Sequence, residues 1–178
     1  MNQQKTMCSY AIVFLVVWLG MAVWNGKFDS SIKMLHQMKQ DGLMPDVVTH
    51  STLLAGCIKV KHGYSKALEL VRELQHNGLH MDSVIYGTLV AVCASNTKLE
   101  EAESYFNWMK DEGHLPNVFH YSSLLNAYSI SGNYRKADEL VQDMKSAGLV
   151  PNKLLRGSYY RVRLLHRLEF DQLPMHDF

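Results

Sequence analysis

Histidines, carboxylates and cysteines are the side chains of this 178-residue chain whose types and spacing bear on chemistry. There are nine histidines, and His76 and His80 stand four apart, as in a helical zinc pair. Gly78 lies between them and ends a helix there, which breaks the shared face. No H-E-x-x-H occurs, nor the H-x-E with C-x-x-C of a zinc deaminase. Glu100, Glu101 and Glu103 cluster where a helix begins; the helix dipole favours acids there, so their role reads as structural. Only three cysteines occur and none forms C-x-x-C, which argues against a disulfide scaffold or a zinc ribbon. No G-x-x-x-x-G-K-[ST] or G-x-S-x-G is present. The expectation is therefore no catalytic residue, no metal ligand, no cofactor and no enzyme activity.

A different pattern emerges from the elements that carry these residues. Gly42, Gly78, Gly113 and Gly148 recur at spacings of 36, 35 and 35 residues, each followed within four residues by Asp46, Asp82, Asn117 or Asn152. A fixed period of this size marks stacked helical units. Within each unit two helices are predicted. In the last, Tyr121, Leu124, Leu125 and Tyr128 share one face, Ser131-Gly132-Asn133 breaks the chain, and Ala137, Leu140, Val141 and Met144 form a second stripe. Leu53, Leu89 and Leu124 align in the first helix. Ser31, Ala67, Ala102 and Ala137 align in the second, where a repeated small residue marks close helix approach. Met38, Leu74, Met109 and Met144 form a further core row. Cys57 and Cys93 hold equivalent places and read as packing residues. Thr97-Lys98-Leu99-Glu100 has capping-box spacing. A lone hairpin cannot bury both faces, so the units must stack. The fold class expected is all-α, a right-handed α-solenoid with first helices on the inner wall.

The units Val47–Asp82, Ser83–Asn117 and Val118–Asn152 resemble the pentatricopeptide repeat, a family of mostly plant organellar RNA-binding factors. The resemblance rests on the openings Val47-Val48-Thr49-His50-Ser51, Ser83-Val84-Ile85-Tyr86-Gly87 and Val118-Phe119-His120-Tyr121-Ser122. It rests also on Lys66-Ala67-Leu68-Glu69-Leu70, Lys136-Ala137-Asp138-Glu139-Leu140 and the closing Gly-Leu-x-Pro-Asp/Asn segments. Its implication is single-stranded RNA bound one repeat per base. The residues that would read base edges are Ser51 with Asp82, Gly87 with Asn117, and Ser122 with Asn152. The family's preferences imply G at the first pair and A at the third, with the middle leaning to A. Val48, Val84 and Phe119 match positions that sandwich the bases. Read without the family, Asp46, Asp82, Asn117 and Asn152 are also good helix N-caps.

The organisation expected is a hydrophobic segment over 1–26, a partial repeat over 27–46, full repeats over 47–82, 83–117 and 118–152, and a basic capping tail over 153–178. The first full repeat carries one extra residue near Lys61-His62-Gly63. Between Lys27 and Asn152 there are 12 basic and 14 acidic residues, against five and three beyond, so the array itself is near neutral. Few counterions would be released, and non-specific RNA affinity should be weak. In the tail, Arg161, Arg163 and Arg167 lie on a basic amphipathic helix able to cover the end of the stack or touch phosphates. Met7–Trp24 carries no charge and as a helix would reach about 27 Å, which makes it a candidate membrane anchor. Equally, Ile12–Gly26 sits where an earlier repeat's first helix belongs. The expected partner is single-stranded RNA, with other organellar RNA-processing proteins, in the chloroplast or alternatively the mitochondrion. Three reading units are too few to select a transcript, so a longer array is expected. The rival is a protein-binding adaptor of tetratricopeptide type, whose 34-residue period and Trp-x-x-Leu-Gly-x-x-Tyr opening do not occur.

Overall fold

The computed structural model describes residues 20, 25–60, 62–151 and 153–171. Apart from Gly20, the proposed anchor Met7–Trp24 lies outside the described residues, as does Asn152. Among the described residues there are eight α-helices and no strand: α1 Phe28–Gln40, α2 Val47–Cys57, α3 Gly63–His76, α4 Ser83–Ser95, α5 Leu99–Asp111, α6 Val118–Ser131, α7 Tyr134–Ser146 and α8 Lys153–Asp171. None is long and apolar enough to cross a membrane.

The helix ends follow from local chemistry repeated four times. Gly42, Gly78, Gly113 and Gly148 all take left-handed backbone, with φ from 70° to 84°. That conformation lets the next amide turn back to an otherwise orphaned carbonyl: Leu43 N–H to Met38, Leu79 to Leu74, His114 to Met109 and Leu149 to Met144, at 2.9–3.1 Å. The turn inside each hairpin is less uniform. His62, Thr97 and Gly132 supply its left-handed residue, with φ of 60°, 56° and 68°. Thr97 overturns the expected capping box: its hydroxyl donates to the Asn96 carbonyl at 2.7 Å, and the N-cap of α5 is Lys98, with no side-chain cap bond. Once its backbone turns left-handed, Thr97 is not the N-cap and cannot serve the start of α5. A capping box occurs instead at α6, between Asn117 and His120.

The chain divides into two compact units, Met1–Val92 and Cys93–Phe178, with the division inside α4. In the first, α2 packs against both α1 and α3. The interior holds Phe28, Leu35, Met38, Leu53, Leu54, Ala67 and Leu74, all essentially inaccessible. Glu73 of α3 gathers two partners, Lys39 at 2.6 Å and His50 at 3.3 Å. The His50 ring is fully buried and its other nitrogen meets the Asp46 carbonyl at 2.8 Å. Lys66 pairs with Asp29 and lies 4.9 Å from the Phe28 ring centre.

In the second unit α6 packs against α5 and α7, and α8 packs on both α6 and α7. Ala102, Phe106, Met109, Leu124, Leu125, Ala137 and Met144 form the interior. Asp143 plays the part of Glu73: it meets Lys110 at 3.3 Å and accepts from the Tyr121 hydroxyl at 2.9 Å. Lys136, which aligns with Lys66, pairs with Glu103 at 2.7 Å, an acid three residues beyond the position equivalent to Asp29. The small-residue row and the methionine row are both buried as expected, and so are Cys57 and Cys93. Burial pushes both thiols up to about 12.

Candidate nucleic-acid interface

The residues expected to meet RNA lie at the beginnings of α2, α4 and α6, and three local devices shape those beginnings. The first is the cap. Asp46 accepts from Thr49 N–H at 2.8 Å, Asp82 from Ile85 N–H at 2.9 Å, and Asn117 from Phe119 and His120 N–H at 2.9 and 3.3 Å. Asp82 and Asn117 thus spend one side-chain oxygen on the helix start, which holds the rest of the group in a defined place. Asn152 is outside the described residues.

A second device is a hydroxyl bond back to the preceding turn. Thr52 donates to the Val48 carbonyl, Thr88 to Val84 and Ser123 to Phe119, at 2.8, 2.7 and 2.9 Å. This row escaped the sequence reading, although a hydroxyl residue recurs at 52, 88 and 123. Its signal is hard to separate from ordinary Ser/Thr usage in helices.

The third device is an exposed apolar side chain on the first turn. Val48, Val84 and Phe119 are 56, 57 and 51% exposed, while the next residues, Thr49, Ile85 and His120, are buried. An apolar residue left open to water at the same point of three helices is surface the core does not use. Phe119 stands edge-on to the buried His120 ring, with centres 6.0 Å apart.

The other candidate positions differ from one another. Ser51 is partly exposed and its hydroxyl shares the Val48 carbonyl, at 2.9 Å. Gly87 is buried and brings no side chain. Ser122 is 9% exposed, and its hydroxyl is buried with no hydrogen-bond partner. Ser51 and Asp82 belong to the first unit; Gly87 and Asn117 fall in different units. No group of His, Cys, Asp or Glu suited to a metal occurs among the described residues. His76 ends α3 and His80 lies in the loop beyond it.

Helical hairpins in series, capped alike and closed by the same left-handed glycine, define an all-α helical-repeat protein. The sequence matches the PPR repeat family over residues 18–59, 81–129 and 116–154. The chain belongs to the pentatricopeptide repeat family. It is 72% identical over 111 residues to a pentatricopeptide repeat-containing protein of Arabidopsis thaliana described as chloroplastic, a match covering 62% of this chain and 17% of that protein. Among solved structures it is similar to the pentatricopeptide repeat protein PPR10 in complex with an 18-nt psaJ RNA element, with a TM-score of 0.79 and 21% identity over 92% of this chain and 24% of that one. It is also similar to the PPR domain of protein-only RNase P 1 of Arabidopsis thaliana in complex with tRNA, with a TM-score of 0.73 and 16% identity over 89% and 83% of the two chains. At such identities these likenesses show the fold, a helical-repeat solenoid. The chain thus spans about a sixth of its curated relative and a quarter of PPR10.

Proposed function

We propose that this chain binds single-stranded RNA sequence-selectively, with the repeats 47–82, 83–117 and 118–152 each engaging one base. The observation that carries the reading is the row Val48, Val84 and Phe119, exposed at the first turn of successive first helices. Such side chains offer stacking surface to a base, worth about 1–3 kcal/mol for an aromatic and less for valine. Asp82 and Asn117 present a carboxylate and an amide beside this row. Asp82 paired with Ser51 would discriminate donor from acceptor on a Watson–Crick edge, and Asn152 would do the same with Ser122; in the middle pair Asn117 would act without a side chain at Gly87. The hydroxyl of Ser122 must rotate outward to reach a base, a move helped by its having no partner to lose. The chain itself binds and does not cut. Within a longer array it serves RNA processing, splicing, stability or translation, and its chloroplast-described relative supports the plastid over the mitochondrion as its place of action. Titration of a short single-stranded RNA series at one salt concentration tests the reading. Purine runs are expected to bind more tightly than pyrimidine runs, and equal affinities would remove base reading.

A second reading, a protein-binding adaptor, has one observation in its favour. Met44, Leu115 and Val150 occupy equivalent loop positions and are 69, 87 and 74% exposed, an apolar row that RNA stacking does not use. Capture of protein with no RNA by the immobilised chain would favour it.

A further inference from the structure

The first turn of α8 continues the register of α2, α4 and α6: counting from Asn152, Leu155 falls in the row of Thr49, Ile85 and His120 and is buried like them. Gly157 falls in the row of Ser51, Gly87 and Ser122, so no side chain stands where a reader would. A cleft of about 690 Å³ opens here, lined by Asn126, Lys153, Gly157, Ser158 and Arg161. Among the described residues that line it there are two cations, Lys153 and Arg161, and no carboxylate. A methyl group added at Gly157 would meet nothing within 4 Å, so the glycine faces open space.

Arg161 is held in place rather than free to wander. Its Nε–H donates to the Ser129 hydroxyl at 2.8 Å and Nη2 to the Asn126 side-chain oxygen at 3.0 Å. Both partners are neutral, so the positive charge is positioned without being neutralised, and Nη1 has no hydrogen-bond partner among the described residues. Arg163, two residues on, is by contrast engaged with Tyr159 and Asp138. Lys153 has no ion pair among the described residues and is exposed. An oriented guanidinium, an unpaired ammonium and a serine hydroxyl around a void form a donor set suited to phosphate oxygens.

We infer that the cleft formed by Lys153, Gly157, Ser158 and Arg161 is a phosphodiester-binding subsite that grips the RNA strand one step beyond the third reading repeat without reading a base. The inference rests on the RNA-binding reading above. It gives the near-neutral repeats a grip on the RNA backbone; Gly157, like Gly87, brings no side chain to a base, and none of the described residues here takes the part of Asn117.

The test is RNA affinity of the whole chain as a function of salt, for the wild type and for Lys153→Met and Gly157→Leu. Neither substitution removes an intramolecular hydrogen bond, and leucine is a better helix former than glycine. Removing one phosphate contact from a single-stranded complex lowers the slope of log affinity against log salt by about 0.7. Both variants are expected to show that loss, with the ranking of RNA sequences unchanged and melting temperatures no lower than wild type. Arg161→Met is expected to lose the same increment, together with some stability as α8 loosens. Wild-type slopes in Lys153→Met and Gly157→Leu would overturn the subsite while leaving base reading intact. No RNA binding by the wild type would overturn both. Calorimetric titration with inorganic phosphate separates the sources: saturable binding lost in Lys153→Met would keep the subsite but assign it to a free anion, and none is expected.

Discussion

Glu73 and Asp143 occupy equivalent places in two hairpins, and around each the same node is built from different parts. Glu73 joins Lys39 and the buried ring of His50, whereas Asp143 joins Lys110 and the hydroxyl of Tyr121. In both, a carboxylate on a second helix ties the lysine of the preceding second helix to the fourth residue of its own first helix. The node is a position in the fold, and any residue able to donate there will serve. The intervening step shows the converse: Gln75 stands where Lys39 and Lys110 do, and Trp108 where Glu73 and Asp143 do, so the charges that make the node are absent. The two flanking steps belong one to each compact unit.

Differences of this kind can be pressed by substitution. The largest effect is expected at the inner turn. A methyl group on Gly63 would lie 1.9 Å from the Cys57 carbonyl oxygen, whereas one on Gly132 would meet nothing within 4 Å. Gly63→Ala is expected to cost on the order of 3 kcal/mol, since the backbone must shift. At Gly132 alanine is opposed only by the left-handed backbone, at about 1–2 kcal/mol. Urea denaturation of the two variants measures the contrast, and similar midpoints would contradict it.

Next in size is the node itself. His50→Leu removes the ring that links Glu73 to the Asp46 carbonyl, which then keeps only the backbone N–H of residue 50, and is expected to cost about 2 kcal/mol. Tyr121→Phe removes one hydrogen bond to a charged group and is expected to cost about 1.5 kcal/mol. Lys39→Met and Lys110→Met break partly exposed ion pairs and are expected to cost less than about 1 kcal/mol each. A lysine substitution more damaging than its aromatic partner would reverse the node's hierarchy.

The two buried thiols offer a pH test that treats the units alike. Their ionisation is pushed from 9.0 in an open chain to about 12 by burial. The folded state therefore holds them neutral, a contribution complete below pH 9 and lost as pH rises from 9 towards 12. Replacing Cys57 and Cys93 by alanine should flatten the fall of melting temperature between pH 9 and 10.5. At pH 8 neither thiol should react with an alkylating reagent before unfolding. A rapid reaction of one and not the other would show that one unit opens locally.

The smallest effect separates Ser51 from Ser122. Ser122→Ala removes a buried hydroxyl with no partner and is expected to raise stability by up to about 1 kcal/mol. Ser51→Ala loses only a bond to a carbonyl that Thr52 also uses, and should change stability by less than about 0.5 kcal/mol. Thermal melts of the two variants make the comparison, and destabilisation by Ser122→Ala would mean that its hydroxyl is satisfied after all.

Much of the architecture was legible in the residues. Periodic glycines, aligned small residues and the methionine row identified the hairpins and their buried faces, because each is a short-range consequence of helix geometry repeated at one period. The caps at Asp46, Asp82 and Asn117 were legible for the same reason. Thr97 was misread because capping-box spacing says nothing about whether the first residue turns left-handed. The charge nodes were invisible: Lys39, His50 and Glu73 lie on three helices, and no spacing along the chain announces their meeting.

What the residues alone determined is the repeating local order: where each helix starts, stops and turns its apolar side. Those outcomes depend on hydrogen bonds and side-chain preferences spanning a few residues. Tertiary structure alone decided that Ser51 stays partly open while Ser122 is buried, that Arg161 is braced against Asn126 and Ser129, and that an open cleft surrounds Gly157. Each of these depends on which neighbouring helix packs alongside and how closely, a distance set by the summed contacts of whole helices rather than by any one residue's type.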